Sequence, residues 1–305
     1  MNRAPVSQAD HAARRGFAYG VAAYGLWGIL PIYFKLLKAV PPVDIVAQRV
    51  LWSIPVLAFL LSITSGWAKV RQATRERRTM MLLLASAALI GVNWVLYVYA
   101  VNSGHILAGS LGYYLNPLAN VLLGRLVLKE KLTRLQWVAV AIAAAGISVL
   151  AVEALSQLWI SLVLCATFAT YGLVRKIAPV DALPGLTLET LLLAPLCVAW
   201  LAYSLASGQP SFGVSTSDTW LLALAGLVTA TPLLLFTAAA RRLRLSTLGM
   251  LQFLAPTLQF LLAVGIYGEP FTTAHAIAFA AIWSALGIYV FAMLHNARAS
   301  VTVPE

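Results

Sequence analysis

Apolar residues run through the chain in stretches separated by short polar punctuation, and ten such stretches can be drawn. Each is near the ~20 residues that a helix rising 1.5 Å per residue needs to cross a ~30 Å hydrocarbon layer. The predicted spans are Phe17–Leu37, Asp44–Thr64, Met80–Val101, Leu107–Leu128, Arg134–Val152, Leu155–Arg175, Pro184–Ala206, Thr219–Ala240, Leu245–Gly268 and Thr273–Leu294. The first is too long, and too far behind Arg3, Asp10, Arg14 and Arg15, to read as a cleaved signal peptide. The expected fold is an all-α polytopic membrane protein.

The second half repeats the first. A shift of 140 places Lys35 on Arg175, Arg49 on Glu189 and Pro55 on Pro195; a shift of 139 places Pro117 on Pro256, Asn120 on Gln259, Glu130 on Glu269 and Thr133 on Thr272. Five spans per unit is an odd number, so the second unit must enter the membrane upside down. The expected organisation is therefore ten transmembrane helices as two inverted five-helix repeats, 17–152 and 155–294, between tails 1–16 and 295–305. Inverted repeats build many secondary transporters, with a substrate site near the midplane and access alternating about it.

Composition agrees, at 61% hydrophobic, 10% charged and mean hydropathy +0.86, where a soluble domain carries about 25% charge. The net charge of +11 is a matter of placement. Lys69, Arg71, Arg75, Arg77, Arg78, Lys129, Lys131, Arg134, Arg175, Lys176, Arg241, Arg242, Arg244 and Arg298 alternate onto one side, and Lys38 stands nearly alone on the other. By the positive-inside rule both tails are cytoplasmic, in a cell (inner) membrane. The basic excess then reports topology, and no nucleic-acid partner is expected. Cys165 and Cys197 lie in apolar runs far from any ligand spacing, so neither a metal site nor a disulfide framework is expected, and no cofactor.

Ionised groups inside a span cost about 2.5–3.5 kcal/mol on the insertion scale, so their depth matters. Arg125, Arg175 and Lys35 lie near span ends and have a snorkelling reading. Arg49 and Glu189 each sit five residues inside opposite ends of their spans, about 15 Å apart along the normal, too far to pair directly. On the inner side Arg175 and Glu189 can neutralise each other; their repeat equivalents Lys35 and Arg49 are both positive. This suggests a cationic outer patch for an anionic substrate group and an inner pair acting in gating or proton coupling. The plainer reading is that Arg49 bonds helix carbonyls and Glu189 staples two helices.

Other polar residues follow helical faces. Gly112, Asn116, Asn120 and Gly124 recur every four positions beside Tyr113 and Pro117, and the corresponding ninth run offers Gln252, Pro256 and Gln259. Trp27 with Tyr24, Pro31 and Lys35, and Asn93 with Tyr97, mark two more faces. They suit either helix packing or a pocket for an amphiphilic solute. Glu130 and Glu269, each preceding a Thr at the start of the last helix of its repeat, read as helix caps. Trp67, Trp137 and Trp220 read as interfacial anchors.

Several stretches resemble the EamA-type group of the drug/metabolite transporter superfamily, and within it the RarD proteins. They are Gly25 to Gly28, Tyr33 to Lys35, Gln48 to Ser53, Gly91 to Trp94, Ser110 to Leu118, Tyr171 to Lys176, Leu188 to Thr190 and the long run Arg241 to Val264. The resemblance covers nearly the whole chain except the termini and the loop after Ala206. It implies a ten-helix carrier of small molecules with a central cavity lined by the first four helices of each repeat; RarD proteins are described as chloramphenicol-sensitivity proteins and permeases without an agreed substrate. The expected activity is secondary transport of a small metabolite or drug, outward and by alternating access, with protons as a candidate coupling ion. No GxxxxGK[ST] loop supports ATP-driven transport. The competing readings are an intramembrane enzyme and a membrane scaffold or receptor. For the first, His11, His105, His275 and His295 lie in tails or near span ends, HExxH is absent, and Ser110 sits in AGSLG rather than GxSxG. The second would need neither inverted repeat nor polar inner face.

Overall fold

A computed structural model describes residues 8–102, 106–151, 158–266 and 273–299. Those residues form twelve helices: α1 (Gln8–Leu36), α2 (Pro42–Ile63), α3 (Trp67–Arg75), α4 (Arg77–Asn102), α5 (Ile106–Leu126), α6 (Arg134–Ala151), α7 (Leu158–Ile177), α8 (Ala182–Ala206), α9 (Thr216–Ala240), α10 (Leu245–Gln252), α11 (Leu254–Gly265) and α12 (Thr273–Ala299). Among the described residues there is no strand. Every predicted span overlaps a helix, with two additions.

The first addition is α3, a short polar helix inside the basic loop. The second is the division of the ninth span into α10 and α11 at Phe253. Pro256 contributes to the break, since proline has no N–H to close the bond to the carbonyl of residue 252 and its ring crowds that carbonyl. The chain passes Phe253 on a tighter bond from its N–H to the Met250 carbonyl, 3.3 Å.

Seven helices, α1, α2, α4, α7, α8, α9 and α12, are long and apolar enough to cross a bilayer. Their outward faces carry large apolar side chains: Phe59, Leu196 and Phe291 stand 64%, 71% and 61% exposed. In water such a belt would aggregate; in lipid it is the solvated surface.

Each central helix packs on helices from the other half of the chain: α1 on α9 and α11, α2 on α8 and α9, α4 on α7 and α8, α5 on α7 and α10. To one side α6 and α12 form a pair of their own, meeting through small residues. A Cβ on Gly146 would stand 2.7 Å from the Ala281 Cβ. Small residues at a crossing let two helices approach and gain dispersion contacts that lipid cannot better.

Basic side chains tie one end of the bundle by bonding carbonyls at and just past the C-terminal ends of α7 and α9, where the negative end of the helix dipole lies. Lys176 donates to the carbonyls of Ala240, 3.0 Å, and Leu243; Arg241 donates to those of Ala178, 2.8 Å, and Val180. Lys69 on α3 pairs with Asp181 at 2.7 Å and Arg241 approaches the same carboxylate at 3.7 Å. The Lys69 ammonium donating to Asp181 holds that carboxyl below the usual carboxylate range.

The helix-capping expectation for Glu130 needs correcting. Its carboxylate accepts from the Leu245 and Ser246 amides, 2.6 and 3.1 Å, and from the Ser246 hydroxyl at 2.6 Å. It therefore caps α10, in the other half of the chain, and not the helix that follows it. That helix, α6, is capped by Thr133 and Gln136, whose side chains accept from each other's amides at 3.3 and 3.0 Å. The signal was present as T-x-x-Q. Glu269 and Thr272 lie outside the described residues.

Candidate functional site

Two charged side chains, one on α2 and one on α8, are each held by a hydroxyl on a helix of the opposite half of the chain. Arg49 on α2 donates through Nε to Thr229 Oγ1 on α9, 2.8 Å. Its guanidinium lies over the rings of Phe34, 5.5 Å, and Trp94, 5.2 Å, positions where a ring quadrupole attracts a cation. Ser53, one turn on, bonds the carbonyls of Arg49, 2.6 Å, and Gly226, 3.2 Å. Gly226 is required there, because a Cβ would run into the Trp52 carbonyl. Backbone meets backbone at the α2–α9 crossing, and this end of the site is tightly shut.

Glu189 on α8, the repeat equivalent of Arg49, accepts from Ser86 on α4. It also lies 3.5 Å from Arg175 Nη1 on α7, and both side chains are buried, 2% and 0% exposed. The snorkelling reading of Arg175 is therefore wrong: its guanidinium is inside the bundle, donating from Nη2 to the Ala182 carbonyl at 3.2 Å. Gly185, one turn before Glu189, leaves the room it occupies, since a Cβ there would overlap Nη1 and Nη2. The pair is incompletely satisfied: Arg175 Nε and Nη1 and Glu189 Oε2 have no hydrogen-bond partner in the chain. A buried ion pair in this condition is worth little net stability, although removing one partner is costly.

Between the two charged contacts lies a small cavity of about 20 Å³ lined by Ser53, Trp94, Tyr171, Glu189, Thr190 and Thr229 among others. That volume holds one water. Beside it, Tyr24, Trp27, Phe168, Tyr171 and Phe236 form an aromatic cluster with centroids 5.6–6.2 Å apart. Tyr113 joins it through Phe168, 6.1 Å, and stacks edge-on against Tyr97 at 5.5 Å.

The remaining polar candidates serve mostly to join helices. Asn93 donates to the Leu164 carbonyl and Thr167 Oγ1, both 2.9 Å, and accepts from Tyr113 at 3.1 Å, linking α4, α5 and α7. Asn120 donates to Gln252 at 3.1 Å, beside Gly249, whose Cβ would stand 2.7 Å from that of Asn120. Gln259 is exposed and donates to the Trp27 carbonyl, 3.0 Å. Gly112 and Gly124 are close-approach positions against α7 and against Glu130. Asn116 is the exception, fully buried with neither amide atom partnered in the chain. Lys35 is exposed at the end of α1; the side chains flanking Arg49 are aromatic.

Sequence reading missed Ser86, Thr229 and Gly226. A signal existed for two of them, since the shift of 140 that pairs Arg49 with Glu189 also pairs Ser86 with Gly226. It also missed Asp44, buried at the start of α2, which accepts from Trp200 Nε1, 2.8 Å, and from Ser211 in the loop after α8.

Comparison with known proteins places this architecture. Residues 14–152 match the EamA-like transporter family. An uncharacterized transporter of Pseudomonas aeruginosa is 48% identical over 283 residues, 91% of this chain and 94% of that protein. Protein RarD of Escherichia coli is 43% identical over 293 residues, 93% and 97% of the two chains. A solved crystal structure that is 21% identical superposes with a TM-score of 0.71 over 92% of this chain and 98% of that one, a likeness of fold. The chain is a multi-pass membrane protein that belongs to the EamA-like transporter family, among its RarD-like permeases.

Proposed function

We propose that this protein is a secondary carrier that exports a small metabolite or drug across the cytoplasmic membrane, opening its central cavity to one side at a time. The two units are 17–152 and 155–294, inverted, with both tails cytoplasmic. The packing supports two equivalent units: under exchange of the halves α5 on α7 becomes α11 on α1, α1 on α9 becomes α7 on α4, and α2 on α9 becomes α8 on α4, all of them pairs that occur. Their inversion follows from the odd number of spans in each unit.

The observation that carries the proposal is the pair of matching clasps about one narrow cavity. Arg49–Thr229 joins α2 to α9 on the outer side, and Glu189–Ser86 joins α8 to α4 on the inner side, the equivalent helices of the two repeats. A cavity of about 20 Å³ admits no metabolite, so transport requires one clasp to open and the cavity to widen. Symmetry makes the two openings comparable in energy, the condition for alternating access. Arg49, with Lys35 at the rim, supplies the positive charge for an anionic group. Trp27, Tyr97, Tyr113 and the amides of Asn93, Asn116, Asn120, Gln252 and Gln259 supply the walls for an amphiphilic body. The Arg175–Glu189 pair is the inner gate, and Glu189 the group whose protonation couples transport to protons.

The test is flux from proteoliposomes loaded in turn with anionic metabolites, amino acids and amphiphilic drugs, with and without a proton gradient. A solute whose flux is lost in Arg49→Ala, and whose response to the gradient is lost in Glu189→Gln, is the expected result. Gradient-driven flux that persists unchanged in Glu189→Gln removes that residue from coupling; flux unchanged in Arg49→Ala removes the anion site.

A further inference from the structure

A second cavity, of about 480 Å³, lies on the outside of the bundle and shares no lining residue with the central one. Its floor is the last two turns of α9, with Leu234, Leu235 and Ala238; Tyr19 of α1 forms one side and Asp181 to Leu183 the other. Its mouth holds Arg241 and Arg242. Arg242 is exposed, its Nη1 donating to the Ala238 carbonyl at 2.8 Å and its guanidinium lying over Tyr19 at 5.4 Å, which fixes a cation at the rim. Asp181 is the acid at this mouth and is already met by Lys69 at 2.7 Å and Arg241 at 3.7 Å. Two arginines and a lysine against one carboxylate leave an excess of positive charge over an apolar trough.

We propose that this groove is a binding site for an anionic phospholipid, with its phosphate at Arg242 and Arg241 and an acyl chain along Leu234, Leu235 and Ala238. The argument is charge complementarity joined to depth. The groove runs from an apolar wall at bilayer depth to guanidinium groups at the helix end where the basic residues collect, which is the profile of a lipid with a negative headgroup. Its volume lies in the range of a bound small molecule. Earlier turns of the same helix, through Thr229, Ala230 and Leu233, line the central cavity. A lipid here therefore steadies the helix that holds Arg49. The orientation proposed above assigns the site to the cytoplasmic leaflet; its chemistry does not depend on that assignment.

The experiment is thermal unfolding and native mass spectrometry of the detergent-purified, delipidated full chain, titrated with short-chain phosphatidylglycerol, phosphatidylcholine of the same chain length, or inorganic phosphate. Phosphatidylglycerol is expected to raise the melting temperature and remain bound, with the other two giving no comparable shift. Arg242→Gln is expected to weaken phosphatidylglycerol binding about fivefold, the effect of one basic residue at a lipid surface. Ala238→Phe, which fills the trough and leaves both arginines, is expected to abolish it. Equal shifts with phosphatidylcholine, reproduction of the shift by phosphate alone, or full binding in either variant would overturn the proposal.

Discussion

Arg175 and Glu189 illustrate how little a buried pair says about stability by itself. Their separation of 3.5 Å and three atoms without partners describe charges held together by the packing around them. Arg175→Met alone is expected to destabilise the protein by about 3–5 kcal/mol, because it strands a buried carboxylate. Adding Glu189→Leu should restore most of that loss. A double-mutant cycle by thermal unfolding checks this, and a double variant as unstable as the single one would mean that the pair itself holds the fold. At the exposed end of the bundle the expectation differs. Lys69 and Asp181 are 64% and 52% exposed, so their pair contributes under about 1 kcal/mol. The folded carboxyl is held low, so the contribution is complete above the unfolded pKa and disappears as pH falls through the folded one. The small difference in melting temperature between wild type and Asp181→Asn should therefore be largest near neutrality and vanish in acid.

At the scale of elements, periodicity and run length located the helices because lipid leaves the backbone no other solution. What they could not locate were features decided by a partner helix. Pro256 marks the break between α10 and α11, yet Pro117, its repeat equivalent, lies inside an unbroken α5, so the residue alone does not decide. Glu130 reads as a cap, but which helix it caps depends on α10 lying beside it. Arg175 looks like a snorkelling residue until Gly185 gives its head a place inside. Gly226 is the strongest case of such dependence: its missing side chain lets the backbones of α2 and α9 touch at Trp52. Gly226→Ala is expected to force these helices apart at a cost of about 1–3 kcal/mol, seen as a lower melting temperature. An unchanged melting temperature would mean that the crossing is looser than described.

For the whole molecule, the repeat legible in the sequence carries the functional reading. It made Glu189 the equivalent of Arg49, and each has a hydroxyl partner on the other half of the chain. It could not supply the narrowness of the cavity, the aromatic cluster or the outer groove, all of which arise where the two halves meet. The central claim is that the two clasps are separate gates to one cavity. The direct measurement is labelling of a single cysteine at Ile90, a cavity-lining position on α4, with Cys165 and Cys197 replaced by Ala. A membrane-impermeant maleimide is applied to right-side-out and inside-out vesicles. Thr229→Val should raise labelling from the outside only, and Ser86→Ala from the cytoplasmic side only. Labelling raised from the same side by both substitutions, or by neither from any side, would contradict a cavity guarded by two opposed gates.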